Sequence, residues 1–158
     1  MSKLTERIIA DAIQTIGVHE IGRSNSGPEV NQYLKFVGLS PGNPWCCAYV
    51  VYRVYKAAHE IGVDVGFKIT GSCQVLYLWA KAKKLVHTVP VAGDVFLQWH
   101  SKLDRYAHAG FVRSISPTGK SFVTVEGNSN DDGSRDGYEV CSNTRKIVPG
   151  KYVFVTPQ

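Results

Sequence analysis

The chain has 158 residues, 44% hydrophobic and 20% charged, which suits one domain with a sizeable core and excludes a disordered or fibrous chain. No apolar run approaches the length of a bilayer span, so membrane insertion is not expected. The net charge of +5 suits an acidic partner. Apart from Lys81-Ala82-Lys83-Lys84 the cations are scattered and no aromatic–basic motif accompanies them, so nucleic acid is not expected as that partner.

Helical signals come first along the chain. Leu4, Ile8, Ile9, Ala12, Ile13 and Ile16 recur at helical spacing before Gly17. The leading Met1–Arg7 mixes acidic and basic groups and does not read as a signal peptide. A loop rich in Gly, Ser and Asn over 22–27 precedes a helix opening at Pro28, with Val30, Tyr33, Leu34 and Val37 on one face and Gly38 after its end. A third helix is expected from about Pro44 to His59, with Asn43 as N-cap, Pro44 in the first turn and Cys46, Val50, Val54 and Ala57 along one stripe. After an irregular stretch over 61–70, a fourth is expected from Ser72 to Lys83, with Val75, Leu76 and Trp79 facing inward.

Beyond Pro90 the period changes to two. Strands are expected at 95–99, 107–115, 121–126, 138–141, 143–148 and 151–155, punctuated by turns at Ser116-Pro117-Thr118-Gly119 and Val148-Pro149-Gly150. Helices followed by an antiparallel sheet make an α+β fold, with N-terminal helices packed on roughly six strands. No linker, repeat or low-complexity stretch divides the chain, so 1–158 reads as one catalytic-sized domain.

Four cysteines, Cys46, Cys47, Cys73 and Cys141, lack the paired spacing of a zinc site, and neither a metal nor a cofactor is expected. Adjacent Cys46 and Cys47 are badly placed to bridge each other, and free thiols are favoured over a Cys73–Cys141 bridge. Cys47 reads as a small buried hydrophobe. Cys46 falls in the first turn of its helix, where the amide dipoles favour a thiolate and should lower its pKa. Its backbone N–H is a candidate oxyanion donor, with Asn31 or Gln32 as the side-chain donor beside it. Downstream, His108 lies in a strand between two small residues, and Glu126 and Asn128 end another, sharing one side if that strand continues. A carboxylate on the distal imidazole nitrogen fixes the tautomer and supports the imidazolium. Asn128-Ser129-Asn130-Asp131-Asp132-Gly133 with Glu139 has the spacing of a calcium loop, but a strand precedes it, and an ordinary inter-strand loop is the preferred reading.

A cysteine opening a helix, with a histidine and a carboxylate from a later sheet, resembles the arrangement of papain-like thiol hydrolases. More specifically, the chain resembles the CHAP domain family of cysteine- and histidine-dependent amidohydrolases and peptidases. The matching pieces are Gly17-Val18-His19-Glu20-Ile21-Gly22 with Asn25, Pro44-Trp45-Cys46-Cys47-Ala48-Tyr49-Val50, Ala92-Gly93-Asp94-Val95, His108-Ala109-Gly110-Phe111-Val112 and Val125-Glu126-Gly127-Asn128. Cys47 departs from the small residue more usual there, and the first of these segments has no role readable from sequence.

The resemblance implies a papain-like fold with Cys46 as nucleophile, His108 as base, Glu126 orienting the imidazole and Asn128 as a further polar member of the site. It implies peptidoglycan as substrate, cut at the lactyl–L-alanine amide or at a peptide bond of the stem or cross-bridge. A monomer made without a signal peptide is expected to reach the wall through phage lysis or by injection, and an injected toxin would have an immunity protein as partner. Two other readings stay open: a non-catalytic wall-binding module, and a thiol protease or amidase acting on proteins.

Overall fold

A computed structural model of the chain describes residues 1–129 and 137–158, with the side chain of residue 129 also left aside. Four helices come first: α1 (Lys3–Gln14), α2 (Pro28–Phe36), α3 (Cys46–Ile61) and α4 (Cys73–Ala82). Seven strands follow: β1 (Val86–His87), β2 (Val95–His100), β3 (Arg105–Ile115), β4 (Ser121–Ser129), β5 (Glu139–Cys141), β6 (Thr144–Lys146) and β7 (Tyr152–Val155). They form one antiparallel sheet in the order β1-β7-β2-β3-β4-β5, with β6 also pairing with β4. The α+β architecture expected from sequence therefore holds, and the sheet gains the two-residue strand β1. That strand is too short to carry a period-two signal, and it exists through pairing with β7.

The helix ends follow from local chemistry. Ser2 and Ser72 accept from the backbone N–H three residues on, at 3.2 Å each, which satisfies donors that have no intrahelical acceptor. Gly62 ends α3 in a left-handed conformation, the geometry glycine adopts without steric cost. Two residues of the expected helical patterns lie elsewhere. Val75 is exposed, because the buried stripe of α4 runs through Cys73, Leu76 and Ala80. Ile16 falls beyond the end of α1 and is exposed as well.

The sheet is packed on both faces. On one side Val95, Leu97, Ala109, Phe111 and Val125 meet α1 and α3 in the main core, where Tyr49 of α3 meets Phe111 edge-on with ring centroids 6.1 Å apart. The buried Tyr49 hydroxyl bonds Thr15 Oγ1 at 2.8 Å, which removes the cost of placing a polar group there. On the other side Phe96, Val112, Phe122, Tyr152 and Phe154 make a second, aromatic core. Strand alternation sends Val95 and Leu97 to one core and Phe96 to the other. His108 and Glu126 share the Phe96 side: the His108 ring lies 5.9 Å from Phe96, and Gly110 sits beneath both Phe96 and Glu126.

Candidate active site

α3 begins at Cys46, two residues later than the sequence suggests. Trp45 occupies the N-cap position without a side-chain cap bond, and Asn43 instead donates from Nδ2 to Ser40 O at 2.9 Å. Asn43 thus belongs to the preceding turn, because the helix opens two residues beyond the proline's expected start. Cys46 is thereby the first helical residue, and its N–H is one of those a helix start leaves without an intrahelical acceptor.

Trp45 is fully buried against Tyr33 and Tyr49, and its indole Nε1 donates to Glu20 Oε1 at 3.0 Å. Residues 17–20 run beside β5, through bonds from Gly17 N to Val140 O, Val140 N to Val18 O and Glu20 N to Tyr138 O. The segment whose role sequence leaves open thus carries the carboxylate that pins the residue before Cys46. Gly127 belongs to the same packing: a Cβ there would lie 2.7 Å from Trp45 Cζ3 and 2.9 Å from Tyr49 Cγ.

His108 lies within β3, opposite Gln98 of β2, and is 3% exposed. Its Nε2 is 3.3 Å from Glu126 Oε1. An ionised carboxylate only accepts, so Nε2 carries the proton that faces Glu126, and Nδ1 is the nitrogen that takes up or releases the second proton. Nδ1 is buried and makes no hydrogen bond among the described residues. Burial opposes a charge on this ring, but the interactions with Cys46 and Glu126 outweigh it and raise the His108 pKa to about 9.

Glu126 is completely buried and richly bonded. Thr124 Oγ1 and Arg145 Nε donate to Oε2 at 2.8 Å each, Asn143 Nδ2 donates to Oε1 at 3.1 Å, and a second Arg145 N–H also reaches Oε1. Arg145 in turn donates to Gln98 Oε1 at 3.1 Å. Burial alone would raise the carboxyl pKa, but Arg145 and His108 hold it well below the usual carboxylate range. Glu126 is therefore a fixed negative charge beneath the imidazole. Gly110 makes room for it, since a Cβ there would meet Phe96 at 2.6 Å and the Glu126 Cβ at 2.7 Å.

The Cys46 sulfur lies 3.8 Å from Cys73 Sγ and 4.0 Å from Ala107 O. Its pKa is raised well above the ordinary thiol value, first by the neighbouring Cys73 sulfur and then by burial, while His108 acts in the opposite direction. This corrects the expectation of a thiol made acidic by its helix start: a second sulfur alongside disfavours the thiolate. The thiol makes no hydrogen bond to Nδ1 here, so proton transfer requires the sulfur or the ring to shift. Catalytic hydrogen bonds are commonly long before substrate binds.

Asn128 does not join Glu126 on one side of a continuing strand. The pairing of β4 with β5 slips between Glu126 and Ser129, and Asn128 adopts a positive φ of 52°, which breaks the alternation. Its side chain is buried with Oδ1 unpartnered among the described residues. Asn130, Asp131, Asp132 and Gly133 of the calcium-loop spacing lie outside the described residues. Neither side-chain oxyanion candidate is among the described residues lining the cleft beside the thiol. Asn31 Oδ1 accepts from Ser26 Oγ and Gly27 N at 3.3 Å each, and Gln32 is exposed on α2.

A cleft of about 410 Å3 adjoins the thiol, lined by Cys46, Cys73, Leu39, Thr70, Arg105 and Ala107 among others. The arrangement offers a nucleophilic sulfur, a base held in one tautomer and a space for substrate, which is what acyl transfer through a thioester requires. Sequence reasoning did not single out Cys73, Arg145 or Thr124. Arg145 lies in the short β6, where nothing local distinguishes a buried guanidinium from the exposed Thr144 and Lys146 beside it.

The family model "CHAP domain" matches residues 38–128. No curated protein matches the chain. Among solved structures, the crystal structure of Ly7917 is similar, with a TM-score of 0.54 at 15% identity, covering 97% of this chain and 62% of that one. At that identity the likeness shows the fold alone.

Proposed function

The chain belongs to the CHAP domain family, whose members are generally cysteine- and histidine-dependent amidohydrolases, and on that footing we propose that it is a thiol-dependent peptidoglycan hydrolase. The observation that carries the reading is the buried Cys46, His108 and Glu126 group, of which Cys46 borders a cleft.

In this reading the neutral form of His108 takes the Cys46 proton on Nδ1 and the sulfur attacks a substrate carbonyl carbon. The carbonyl electrons move onto oxygen, where the free N–H of Cys46 stabilises them. As the tetrahedral species collapses, the C–N bond breaks and the leaving amine takes the proton from Nδ1. Water then attacks the thioester with His108 again as base, releasing the acid and restoring the thiol. Glu126 accepts from Nε2–H throughout and supports the imidazolium, while Arg145, Thr124 and Asn143 hold Glu126. We assign no proton-transfer step to Asn128.

The bond cleaved is either the lactyl–L-alanine amide or a peptide bond of the stem or cross-bridge. The positive net charge suits an anionic envelope and favours neither bond. Access to the wall after phage lysis and delivery as an injected effector both fit the proposal, and only the second calls for an immunity protein. The test is release of soluble material from purified sacculi under reducing conditions. Wild type should release it, while Cys46→Ala and His108→Ala should not.

A further inference from the structure

Cys46 and Cys73 are the first residues of α3 and α4, and their sulfurs face each other at 3.8 Å in the wall of the cleft. We propose that this pair is an oxidative modification site, closing to a Cys46–Cys73 disulfide under a hydroperoxide and reopening with a dithiol. Bond formation asks the sulfurs to approach by only about 1.8 Å, to the normal S–S length. Both thiols are 5% exposed and border open space, so a molecule as small as hydrogen peroxide can reach them. The thiolate is the form that attacks a peroxide or a sulfenic acid, and loss of one proton from the facing pair supplies it.

The other two cysteines are engaged elsewhere. Cys47 points its thiol at Thr70 O, 3.4 Å away, and Cys141 accepts from Asn143 Nδ2 at 3.4 Å. The chemistry is balanced with one peroxide. The Cys46 thiolate attacks a peroxide oxygen, the O–O bond breaks, hydroxide leaves and an S–O bond forms, giving a sulfenic acid. The Cys73 thiolate then attacks that sulfur, the S–O bond breaks and a second hydroxide leaves. The two thiol protons convert both hydroxides to water, and the sulfurs lose two electrons in all. A dithiol returns those electrons by thiol–disulfide exchange. The bridge would occupy the sulfur that has to attack substrate. Silencing of the enzyme therefore rests on Cys46 being the nucleophile, whereas the bridge itself does not.

The test treats the whole folded protein with hydrogen peroxide, maps disulfides by mass spectrometry of a non-reduced digest, and follows sacculus hydrolysis before and after dithiothreitol. The expected result is a Cys46–Cys73 crosslink, loss of two hydrogens from the intact mass, at least tenfold lower activity and recovery on reduction. Cys73→Ala, compared with its own untreated rate, should form no crosslink, and with excess peroxide its Cys46 sulfenic acid should be carried on by a second peroxide to a sulfinic acid, so that dithiothreitol does not restore the lost activity. Peroxide-treated wild type with Cys46 and Cys73 both still alkylatable, or with Cys46 in sulfinic acid or bridged to Cys47 or Cys141, would overturn the proposal. A crosslink in a protein inactive on sacculi would uphold the site and sink only the hydrolase reading.

Discussion

His108 Nε2 and Glu126 Oε1 lie 3.3 Å apart on the aromatic side of the sheet, and the same carboxylate receives two N–H groups of Arg145. The imidazole therefore rests on a charge whose own position is fixed by three neighbouring side chains, Arg145, Thr124 and Asn143. This couples the basicity of the candidate catalytic base to the buried Glu126–Arg145 ion pair.

Glu126→Gln keeps the shape of the side chain but removes the charge that fixes the tautomer. A roughly 10²-fold or greater loss of kcat/KM on soluble peptidoglycan fragments is expected, from the usual contribution of a positioned base. Steady-state kinetics with KM nearly unchanged would fit this role, whereas a change confined to KM would contradict it.

Arg145→Met leaves Glu126 buried without its main counter-charge. Breaking one side of a buried pair costs about 3–5 kcal/mol, readable as a lower urea midpoint. If the midpoint does not move, the ion pair is not holding this part of the sheet.

The stability of the protein should fall as pH rises from 6.5 to about 9. Across that window folded His108, with its pKa raised from 6.5 to about 9, keeps a proton that the unfolded chain has released. The stabilisation is complete below 6.5 and lost through about 9. Glu126, with its pKa lowered, contributes above the ordinary carboxylate pKa and loses its contribution only in strong acid. Melting temperatures across the window should drop more for wild type than for His108→Gln, with a difference on the order of 2 kcal/mol. Parallel curves would count against the shift.

Cys73→Ala removes the largest influence raising the Cys46 pKa. The pH profile of Cys46 alkylation by iodoacetamide should move to lower pH, and the rate at neutral pH should rise several-fold. An unchanged profile would mean that burial, not the second sulfur, governs the thiol.

Gly127→Ala places a methyl group 2.7 Å from Trp45 Cζ3. Overpacking of this kind costs about 1–3 kcal/mol and should displace the residue preceding Cys46. Calorimetry and Trp fluorescence would register both effects, and a neutral outcome would show that the indole has room to yield.

The helices were legible because periodicity, caps and the glycines after α1 and α2 agree with one another. The change to period two after Pro90 marked the sheet. What escaped were features made by pairing and depth. β1 has two residues and no pattern of its own, and Asn43 looks like a cap until the later helix start leaves it in the preceding turn. Cys46, His108 and Glu126 could be singled out because each sits at a helix start or in a strand with small neighbours. The structure brings these three together, and takes Asn128 out of the strand alternation through a register shift that no residue spacing announces. Arg145 and Cys73 reach the site from β6 and α4, distant in sequence, and only the folded packing reveals them. The Gly-containing motifs acquire a physical meaning in the same way: Gly110 admits Phe96 and Glu126, and Gly127 admits Trp45 and Tyr49.

The most direct test of the hydrolase reading is mass spectrometry of fragments released from purified peptidoglycan by wild type and by Cys46→Ala under reducing conditions. Wild type should release fragments with a new amino terminus, either on L-alanine or within the stem or cross-bridge, and the Cys46→Ala sample should lack them. A folded wild type with an alkylatable Cys46 that releases no such fragment, or a Cys46→Ala protein that releases the same ones, would contradict it.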